Sequence, residues 1–319
     1  LSMNHYLVGD IGGTNARLGL VTTEGNEVFG IERMSNKDFP DLKDVVMHYL
    51  SKAQCIVYPK KACFAVASPV AGDHISFTNN SWSFSVQNLK CQLGLESLTV
   101  INDFEAVARS IPYLGPRELM KVGEGQALSH QAIAVLGAGT GLGMAALVPA
   151  HPKPLPLATE GGHASFAALD AVEEHIRHFL LEKHGFVSNE DLLSGAGLVN
   201  IYQALCAYSK KAAVLSEAAD ITSHAIESHD PLCRETLERF CMILGSVAGD
   251  YALQIGAKGG VYIAGGIIPR FKEFFASSRF RERFESKGRF RNYLAAIPTY
   301  VVIANQPGLI GAASVFDED

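Results

Sequence analysis

Paired cysteines, basic runs and long apolar stretches are all missing from this 319-residue sequence, and each absence excludes a class of protein. No two of the six cysteines stand at the Cys-x-x-Cys spacing of zinc ribbons and thiol redox sites. The 27 Lys and Arg against 33 Asp and Glu leave a formal charge of −6. Because no basic run exceeds three residues, we expect neither nucleic acid nor an anionic membrane surface as a partner.

No apolar stretch reaches the roughly 18 residues that a membrane-spanning helix needs, because Gly, Pro or polar residues interrupt every candidate. The sequence shows no apolar secretory segment near its start, so we expect reduced cysteines and a cytoplasmic location. The composition, 48% hydrophobic and 19% charged, is that of an ordinary globular protein. At about 150 residues per domain, the length predicts two domains.

Glycine is abundant, and two glycine-rich turns each introduce a similar series of predicted elements. Extended apolar segments flank residues 10–15 in the first series and residues 137–141 in the second. Alternating strands and helices follow each hairpin, with helices predicted over about 169–184, 197–209 and 231–256. This order predicts an α/β fold in which a mixed sheet with flanking helices occurs twice.

The first turn is a candidate phosphate site, since its glycines let a bulky anion approach backbone N–H groups. Asp10 is suited to hold Mg²⁺ through water, and Thr14 and Asn15 are suited to donate to phosphate oxygens. A tight hairpin stabilised by Asp and Asn side chains explains the same residues. The candidate nucleotide-binding residues of this turn are Gly9, Asp10, Ile11, Gly12, Gly13, Thr14 and Asn15.

The second turn is a candidate site of the same kind, with Gly139, Thr140 and Gly141 as its binding residues. It is not a P-loop, because no Lys follows the last glycine. It also lacks the Gly-x-Gly-x-x-Gly of a strand-to-helix dinucleotide site, which disfavours an NAD-dependent oxidoreductase. Two such turns at the heads of matching halves indicate two donor surfaces for one triphosphate.

Asn102 and Asp103 stand where a predicted apolar strand ends and a helix begins. Open α/β folds place reactive groups at the carboxyl ends of strands. A carboxylate in that position can accept the proton of a hydroxyl that attacks a phosphoryl group. The alternative is that Asp103 is a plain N-cap of the helix.

Glu160 and His163 flank two glycines, so both side chains have room to reach a ligand. A carboxylate and an imidazole suit neighbouring sugar hydroxyls, one accepting and the other donating. The same pair could ligate a metal, but no third ligand stands at a recognisable spacing, which disfavours zinc. Glu190 lies at a predicted helix start, where Asp191 has the capping-box spacing from Ser188, and a helix-dipole role is open for it.

Six segments together resemble the bacterial-type glucokinases. They are residues 9–17, 101–104, 137–143, 160–163, 193–195 and 264–270. The segments follow the family's order, and the resemblance extends from residue 6 to about residue 313. The chain resembles the zinc-free branch, because the cysteine-rich motif that follows Glu-x-x-His in the related repressor–kinase branch has no counterpart near His163.

The resemblance implies a two-domain α/β protein of the actin-like ATPase (ribonuclease H-like) fold, with duplicated mixed sheets, flanking helices and a cleft between the domains. It implies a small domain of residues 1–110 plus 304–319 and a large domain of residues 111–303. The implied reaction transfers the γ-phosphoryl group of ATP, with Mg²⁺, to the 6-hydroxyl of glucose and gives glucose 6-phosphate. The family's common form is a homodimer.

By the same resemblance, Asp103 is the general base and Asn102 a sugar ligand, while Glu190 accepts a further sugar hydroxyl. Asn79 lies in a segment that resembles the part of the small domain closing over the sugar. The resemblance favours an adenosine-binding role for Gly265 and Gly266, with a tight strand-to-helix junction as the alternative. The alternatives left open are a kinase for another hexose or an N-acetylhexosamine, and a sugar-binding regulator without turnover.

Overall fold

The computed structural model describes residues 5–22, 27–53, 58–77, 81–228 and 230–318. The chain forms two compact units. Unit 1 consists of Leu1–Gly115 with Ala304–Asp319, and unit 2 consists of Pro116–Ile303. Within the described residues, no helix combines the length and the apolarity needed to cross a bilayer.

The strands and helices alternate along the chain much as the sequence predicts. The strands are β1 (His5–Ile11), β2 (Asn15–Thr22), β3 (Val28–Ser35), β4 (Lys61–Val66), β5 (His74–Ser76), β6 (Ser83–Ser85), β7 (Ser97–Asn102), β8 (Leu119–Val122), β9 (Ile133–Ala138), β10 (Leu142–Val148), β11 (Leu155–Thr159), β12 (Val261–Ala264) and β13 (Thr299–Val302). The helices are α1 (Leu42–Lys52), α2 (Val86–Gln92), α3 (Asp103–Ser110), α4 (Ala171–His184), α5 (Gly195–Tyr208), α6 (Ala218–Ile226), α7 (Pro231–Ile255), α8 (Lys272–Ser277), α9 (Phe280–Glu285), α10 (Arg291–Ala295) and α11 (Pro307–Ala313).

The main sheet of unit 1 has the strand order β3-β2-β1-β4-β7. Strands β3, β2 and β1 are antiparallel, whereas β1, β4 and β7 are parallel. Ile11 of β1 is in register with Val66 of β4, and Val66 is in register with Asn102 of β7. The first glycine turn and the start of α3 therefore lie at the same edge of this sheet.

The sheet of unit 2 repeats this arrangement in the order β11-β10-β9-β12-β13-β8. Strands β11, β10 and β9 are antiparallel, β9, β12 and β13 are parallel, and β8 is added antiparallel to β13. The second glycine turn, after β9, and Gly265, after β12, therefore lie at one edge. The predicted duplication of a mixed sheet is confirmed.

Helix α7 shows why the long elements follow from the sequence. The Asp230 side chain caps it by accepting a hydrogen bond from the Cys233 backbone N–H at 2.9 Å, and Pro231 occupies the first helical position. Gly256 ends the helix in the left-handed conformation, with φ of 66°. The apolar residues of α7 lie in the core of unit 2, where Leu237, Phe240 and Leu244 are fully buried and residues 240–249 are buried on every side of the helix.

Sequence and structure differ mainly at short elements. The sequence did not predict α2, α6, α10, β5, β6, β8 or β11, and α6, the longest of these, has nine residues. Segments of that length show too few repeats to reveal a helical or strand periodicity. The second glycine turn is also shorter than predicted, because Gly137 and Ala138 belong to β9, where Gly137 pairs with Gly143.

Candidate active site

The turn between β1 and β2, residues 12–14, is held from both sides by backbone and side-chain hydrogen bonds. The Gly12 N–H donates to the Asn15 carbonyl at 2.9 Å. Asn36, which follows β3, donates its backbone N–H to the Thr14 carbonyl at 2.9 Å and its side-chain Nδ2 to the Gly12 carbonyl at 2.8 Å. Asn36 is 6% exposed and Thr14 is exposed, so the turn is anchored on its inner side and open at its tip.

Asp10 stands opposite Arg17 in the β1–β2 ladder, and the Arg17 Nη1 lies 3.2 Å from the Asp10 Oδ2. Burial raises the pKa of the Asp10 carboxyl, and the Arg17 guanidinium opposes that rise. Asp10 also adjoins the backbone of Gly308 at the start of α11, where a Cβ would lie 3.2 Å from the carboxyl carbon. Ile11 differs from its neighbours, because its side chain is fully buried in the core and only its backbone is available to a nucleotide.

Asn102, not Asp103, is the N-cap of α3. The Asn102 Oδ1 accepts hydrogen bonds from the backbone N–H groups of Phe104 at 2.9 Å and Glu105 at 3.2 Å, and its Nδ2 donates to the Ser68 carbonyl at 3.3 Å. Asp103 is the first residue of the helix and is half-buried; its Oδ1 accepts from the Phe104 N–H at 2.9 Å. Because β7 is the second strand from β1, these residues lie about 10 Å across the sheet edge from the 12–14 turn.

The turn between β9 and β10, residues 139–141, has a similar internal bond and different supports. The Gly139 N–H donates to the Gly141 carbonyl at 2.8 Å, and the Gly139 carbonyl accepts from the Gly195 N–H, at the start of α5, at 2.9 Å. Thr140 is exposed at the tip, as Thr14 is in unit 1.

Gly265 and Gly266 follow β12 at the same edge of the unit 2 sheet. Gly265 has φ of 84°, and a Cβ there would overlap the backbone of Ala138 at the end of β9. A left-handed backbone and a close approach between neighbouring strands both require glycine at this position. Gly266 is exposed, with open space where a Cβ would be.

Three predicted hydroxyl ligands come together in unit 2. The Nε2 of His163 lies 3.9 Å from the Glu160 Oε2, and its Nδ1 lies 3.9 Å from the Glu190 Oε1. The Glu160 and His163 side chains are 59% and 61% exposed, whereas the Glu190 side chain is 33% exposed. The Glu190 Oε2 accepts a hydrogen bond from the Leu142 backbone N–H at 2.8 Å. In the part of the chain that the structure describes, no group of three or more His, Cys, Asp or Glu could hold a metal ion.

The helix predicted to start at Glu190 is not formed there. Ser188 and Asp191 do make the reciprocal bonds of a capping box, with the Asp191 Oδ2 accepting from Ser188 N and Oγ at 2.7 Å each. The segment is nevertheless a turn, and α5 begins at Gly195 with Ser194 as its N-cap. Glu190 therefore lies on a connecting turn, so its carboxylate does not stabilise a helix dipole.

Two residues of these sites were missed by the sequence analysis, and one predicted residue lies outside the described residues. Arg17 could have been found from the hairpin register, because it is the cross-strand partner of Asp10. No local pattern marks Asn36, whose contacts reach 24 residues back to Gly12. Asn79 lies outside the described residues.

Known proteins resemble this chain over nearly its whole length. A model of the glucokinase family matches residues 7–319. The glucokinase of Pectobacterium atrosepticum is 45% identical over 313 residues, which are 98% of this chain and 97% of that protein. The crystal structure of a glucokinase from an Antarctic psychrotroph is 38% identical, with a TM-score of 0.89 over 99% of both chains.

A more distant structure extends the likeness in fold. The ROK-family glucokinase from Streptomyces griseus, solved with glucose and AMPPNP, is 18% identical with a TM-score of 0.67, covering 99% of this chain and 100% of that one. The expected actin-like ATPase fold is confirmed by these structures. The length, identity and coverage of the matches establish that the chain belongs to the glucokinase family.

Proposed function

We propose that this chain is an ATP-dependent glucokinase in which Asp103 is the general base for the 6-hydroxyl of glucose. Membership of the glucokinase family supports ATP-dependent hexose phosphorylation as the reaction. The observation that carries the role of Asp103 is its place beside the capping residue. Asn102 caps α3, and the next residue, Asp103, stands half-buried at the sheet edge, where its Oδ1 accepts from the Phe104 N–H.

The reaction needs little covalent chemistry from the protein. The sugar O6 attacks the γ-phosphorus, the O6–P bond forms, and the bond from phosphorus to the β–γ bridging oxygen breaks, so that ADP leaves with the electron pair. The proton of the 6-hydroxyl passes to an oxygen of the Asp103 carboxylate. Such a base contributes about 10²- to 10⁴-fold to the rate.

The remaining sugar hydroxyls are held by side chains whose chemistry fits them. In unit 2, Glu160 and Glu190 accept hydrogen bonds, and His163, between them, donates or accepts according to its tautomer. In unit 1, one hydrogen of the Asn102 Nδ2 group is bonded to the Ser68 carbonyl, and the other donates to a sugar hydroxyl. The resemblance adds Asn79 to this set.

The two glycine turns bind the phosphates, and residues 265–266 lie against the adenosine. Asp10 fits a water-mediated contact to Mg²⁺, because its side chain is 23% exposed and the neighbouring Gly308 has no side chain to cover it. Mg²⁺ keeps several waters and is usually held by one or two carboxylates together with substrate phosphates. When bound, it neutralises charge that develops on the β- and γ-phosphate oxygens.

Three further expectations belong to this proposal. Units 1 and 2 are the small and large domains, with the division at residues 115/116 and 303/304. The enzyme is a homodimer, which light scattering on the purified protein tests. It works in the cytoplasm, where ATP is available, and its five described cysteines, none in a disulfide, suit a reducing compartment.

The test is glucose 6-phosphate formation from glucose, ATP and Mg²⁺ by wild type, Asp103→Asn and Asp103→Ala. We expect both substitutions to lower kcat by about 10²- to 10⁴-fold while the KM for glucose changes far less. Asp41→Asn is the matched control, because Asn also caps a helix well and the Asp41 side chain caps α1 by accepting from the Asp44 N–H. A rate near wild type for Asp103→Asn would remove Asp103 from the role of base.

Glucose as the substrate is tested with a panel of sugars in the same assay. Mannose, fructose and N-acetylglucosamine should each give a lower kcat/KM than glucose. A higher value for one of them would make that sugar the substrate of this chain, whatever Asp103 does.

A further inference from the structure

We propose that Glu190 serves both substrates: it binds the sugar and it also holds the 139–141 turn, so that glucose and nucleotide bind with positive coupling through this one side chain. The inference rests on the proposed function, since it assigns the sugar to the Glu190 cluster and the nucleotide to the 139–141 turn. The new element is the coupling between sugar binding and nucleotide binding, which neither assignment contains.

The two carboxylate oxygens of Glu190 face different parts of unit 2. Oε2 accepts a hydrogen bond at 2.8 Å from the backbone N–H of Leu142, the residue that directly follows the turn. Oε1 faces His163, whose Nδ1 is 3.9 Å away, which is too long for a hydrogen bond. A sugar hydroxyl is the group that would use this second oxygen.

The turn is also packed against the same carboxylate. A Cβ on Gly141 would overlap the Glu190 Oε2, so the carboxylate lies directly against the Gly141 backbone. The position of the carboxylate and the position of the turn are therefore not independent.

The backbone of Glu190 is fixed, which leaves the side chain as the adjustable part. Its N–H donates to the Gly162 carbonyl at 2.9 Å, and its carbonyl accepts from the Ser194 Oγ at 2.8 Å. A ligand that orders the side chain also orders the turn, and a nucleotide that orders the turn favours the carboxylate position that the sugar needs. The second ligand then meets a site that the first has already ordered, and the effect is reciprocal.

Gly141→Ala tests the link from the side of the turn. The new methyl group displaces the Glu190 carboxylate but removes no functional group from the sugar cluster, and the Gly141 φ lies outside the left-handed region. Gly139→Ala is the matched control in the same turn, because a Cβ there meets open space. Glucose binding is measured calorimetrically without nucleotide and again with saturating Mg²⁺ and AMPPNP.

For the wild type we expect AMPPNP to tighten glucose binding about fivefold or more. Gly141→Ala should weaken glucose binding about tenfold when no nucleotide is present and bring the coupling factor close to one. Gly139→Ala should leave the glucose Kd without nucleotide within about twofold of wild type. An unchanged glucose Kd for Gly141→Ala overturns the inference.

Glu190→Gln and Glu190→Ala provide a second test if Gly141→Ala does not fold. The Gln amide oxygen can still accept from Leu142 N–H, whereas Ala cannot, so AMPPNP affinity without glucose should fall for Glu190→Ala alone. Equal AMPPNP affinities in the two variants would overturn the inference. Failure of the proposed function looks different, because the wild type itself would then form no glucose 6-phosphate.

Discussion

The two glycine turns have the same place in two sheets that share the order of five strands, yet they are held by residues from different distances along the chain. In unit 1, Asp10 and Arg17 come from the strands of the hairpin itself, and Asn36 follows the next strand. In unit 2, the supports are Glu190 and Gly195, 48 or more residues after the turn. A duplicated topology therefore does not imply duplicated anchoring.

The difference has a functional meaning. The carboxylate beside the 12–14 turn, that of Asp10, is paired with the Arg17 guanidinium 3.2 Å away. The carboxylate beside the 139–141 turn belongs to the sugar cluster. We therefore expect the unit 1 turn to respond to nucleotide alone and the unit 2 turn to respond to both substrates.

Among changes at the two glycine turns, the largest effect should come from removing the Glu190 or the Asp10 carboxylate. Glu190→Ala should lower kcat/KM for glucose and for MgATP, each by roughly 10- to 100-fold, because a hydrogen bond to a charged group contributes about 1.5–3 kcal/mol. Asp10→Ala should lower kcat/KM for MgATP to a similar extent and leave the glucose Kd unchanged. Steady-state kinetics with both substrates varied, and calorimetry with glucose, distinguish the patterns. If Asp10→Ala weakens glucose binding as much as Glu190→Ala, the contrast between the turns is lost.

Arg17→Met sharpens the same comparison through pH. Burial raises the pKa of Asp10 and the guanidinium opposes the rise, so losing the guanidinium lets that pKa rise further. Less Asp10 is then ionised on the acid side, and the fall in kcat/KM for MgATP should begin at a higher pH than in the wild type. Glucose affinity should show no such shift. Arg17→Lys, which keeps the charge, is the control.

Acidification should affect the stability of Arg17→Met in the opposite direction to its activity. A carboxyl whose folded pKa is raised disfavours folding while it is ionised, and this cost disappears as the pH falls through the folded value. In Arg17→Met the free energy of unfolding should therefore gain more from acidification than in the wild type, down to the ordinary Asp value of 3.8. Chemical denaturation at several pH values measures this gain, and a profile identical to wild type would contradict the role assigned to Arg17.

Asn36→Ala should have a smaller effect, confined to unit 1. Loss of the partly buried hydrogen bond to the Gly12 carbonyl should cost about 1–2 kcal/mol of unfolding free energy and raise the KM for ATP several-fold, with glucose affinity unchanged. Ser314→Ala is the matched control, since Ser314 is also buried in unit 1 and donates to the Gly311 carbonyl at 2.8 Å, away from the turn. An ATP KM that moves equally in both variants would show a general loss of stability instead of a role in the turn.

The smallest effect is expected for Gly139→Ala on stability. With open space at the Cβ position and no left-handed backbone, Ala should change the unfolding free energy by less than about 1 kcal/mol, towards stabilisation. Gly265→Ala, at the same sheet edge, should destabilise clearly, because its φ is 84° and its Cβ would overlap Ala138. Thermal and denaturant unfolding of both variants provide the comparison, and a destabilised Gly139→Ala would mean that the turn is tighter than described.

The sequence predicts what depends on neighbours along the chain. The hairpin turns follow from glycine and the long helix α7 from periodicity, and the observed caps Asp41 and Asp230 are of a residue type that favours N-caps. The sequence suggests only Asp103 as a cap of α3, whereas Asn102 is the N-cap, because adjacent polar residues at a strand end satisfy the same rule until the backbone position is known.

Contacts between distant segments could not be predicted in this way. Glu190 was recognised as a sugar ligand only by resemblance, and nothing near it in the sequence indicates its bond to Leu142, 48 residues away. The hydrogen bonds from Asn36 to the 12–14 turn form only because the end of β3 lies beside the turn that follows β1. Such contacts are set by how the elements pack, which local propensity and hydrophobic pattern do not specify.

The last helix of the chain has a consequence for biosynthesis. Helix α11 packs its Gly311 against the Ala106 backbone of α3 and brings Gly308 to Asp10, although all of unit 2 is encoded between these partners. A nascent chain on the ribosome can thus form the first sheet early, but it must wait until residue 313 is translated before that sheet receives its final covering layer. We therefore expect prematurely terminated copies to be inert and prone to proteolysis, instead of being slow kinases that consume ATP.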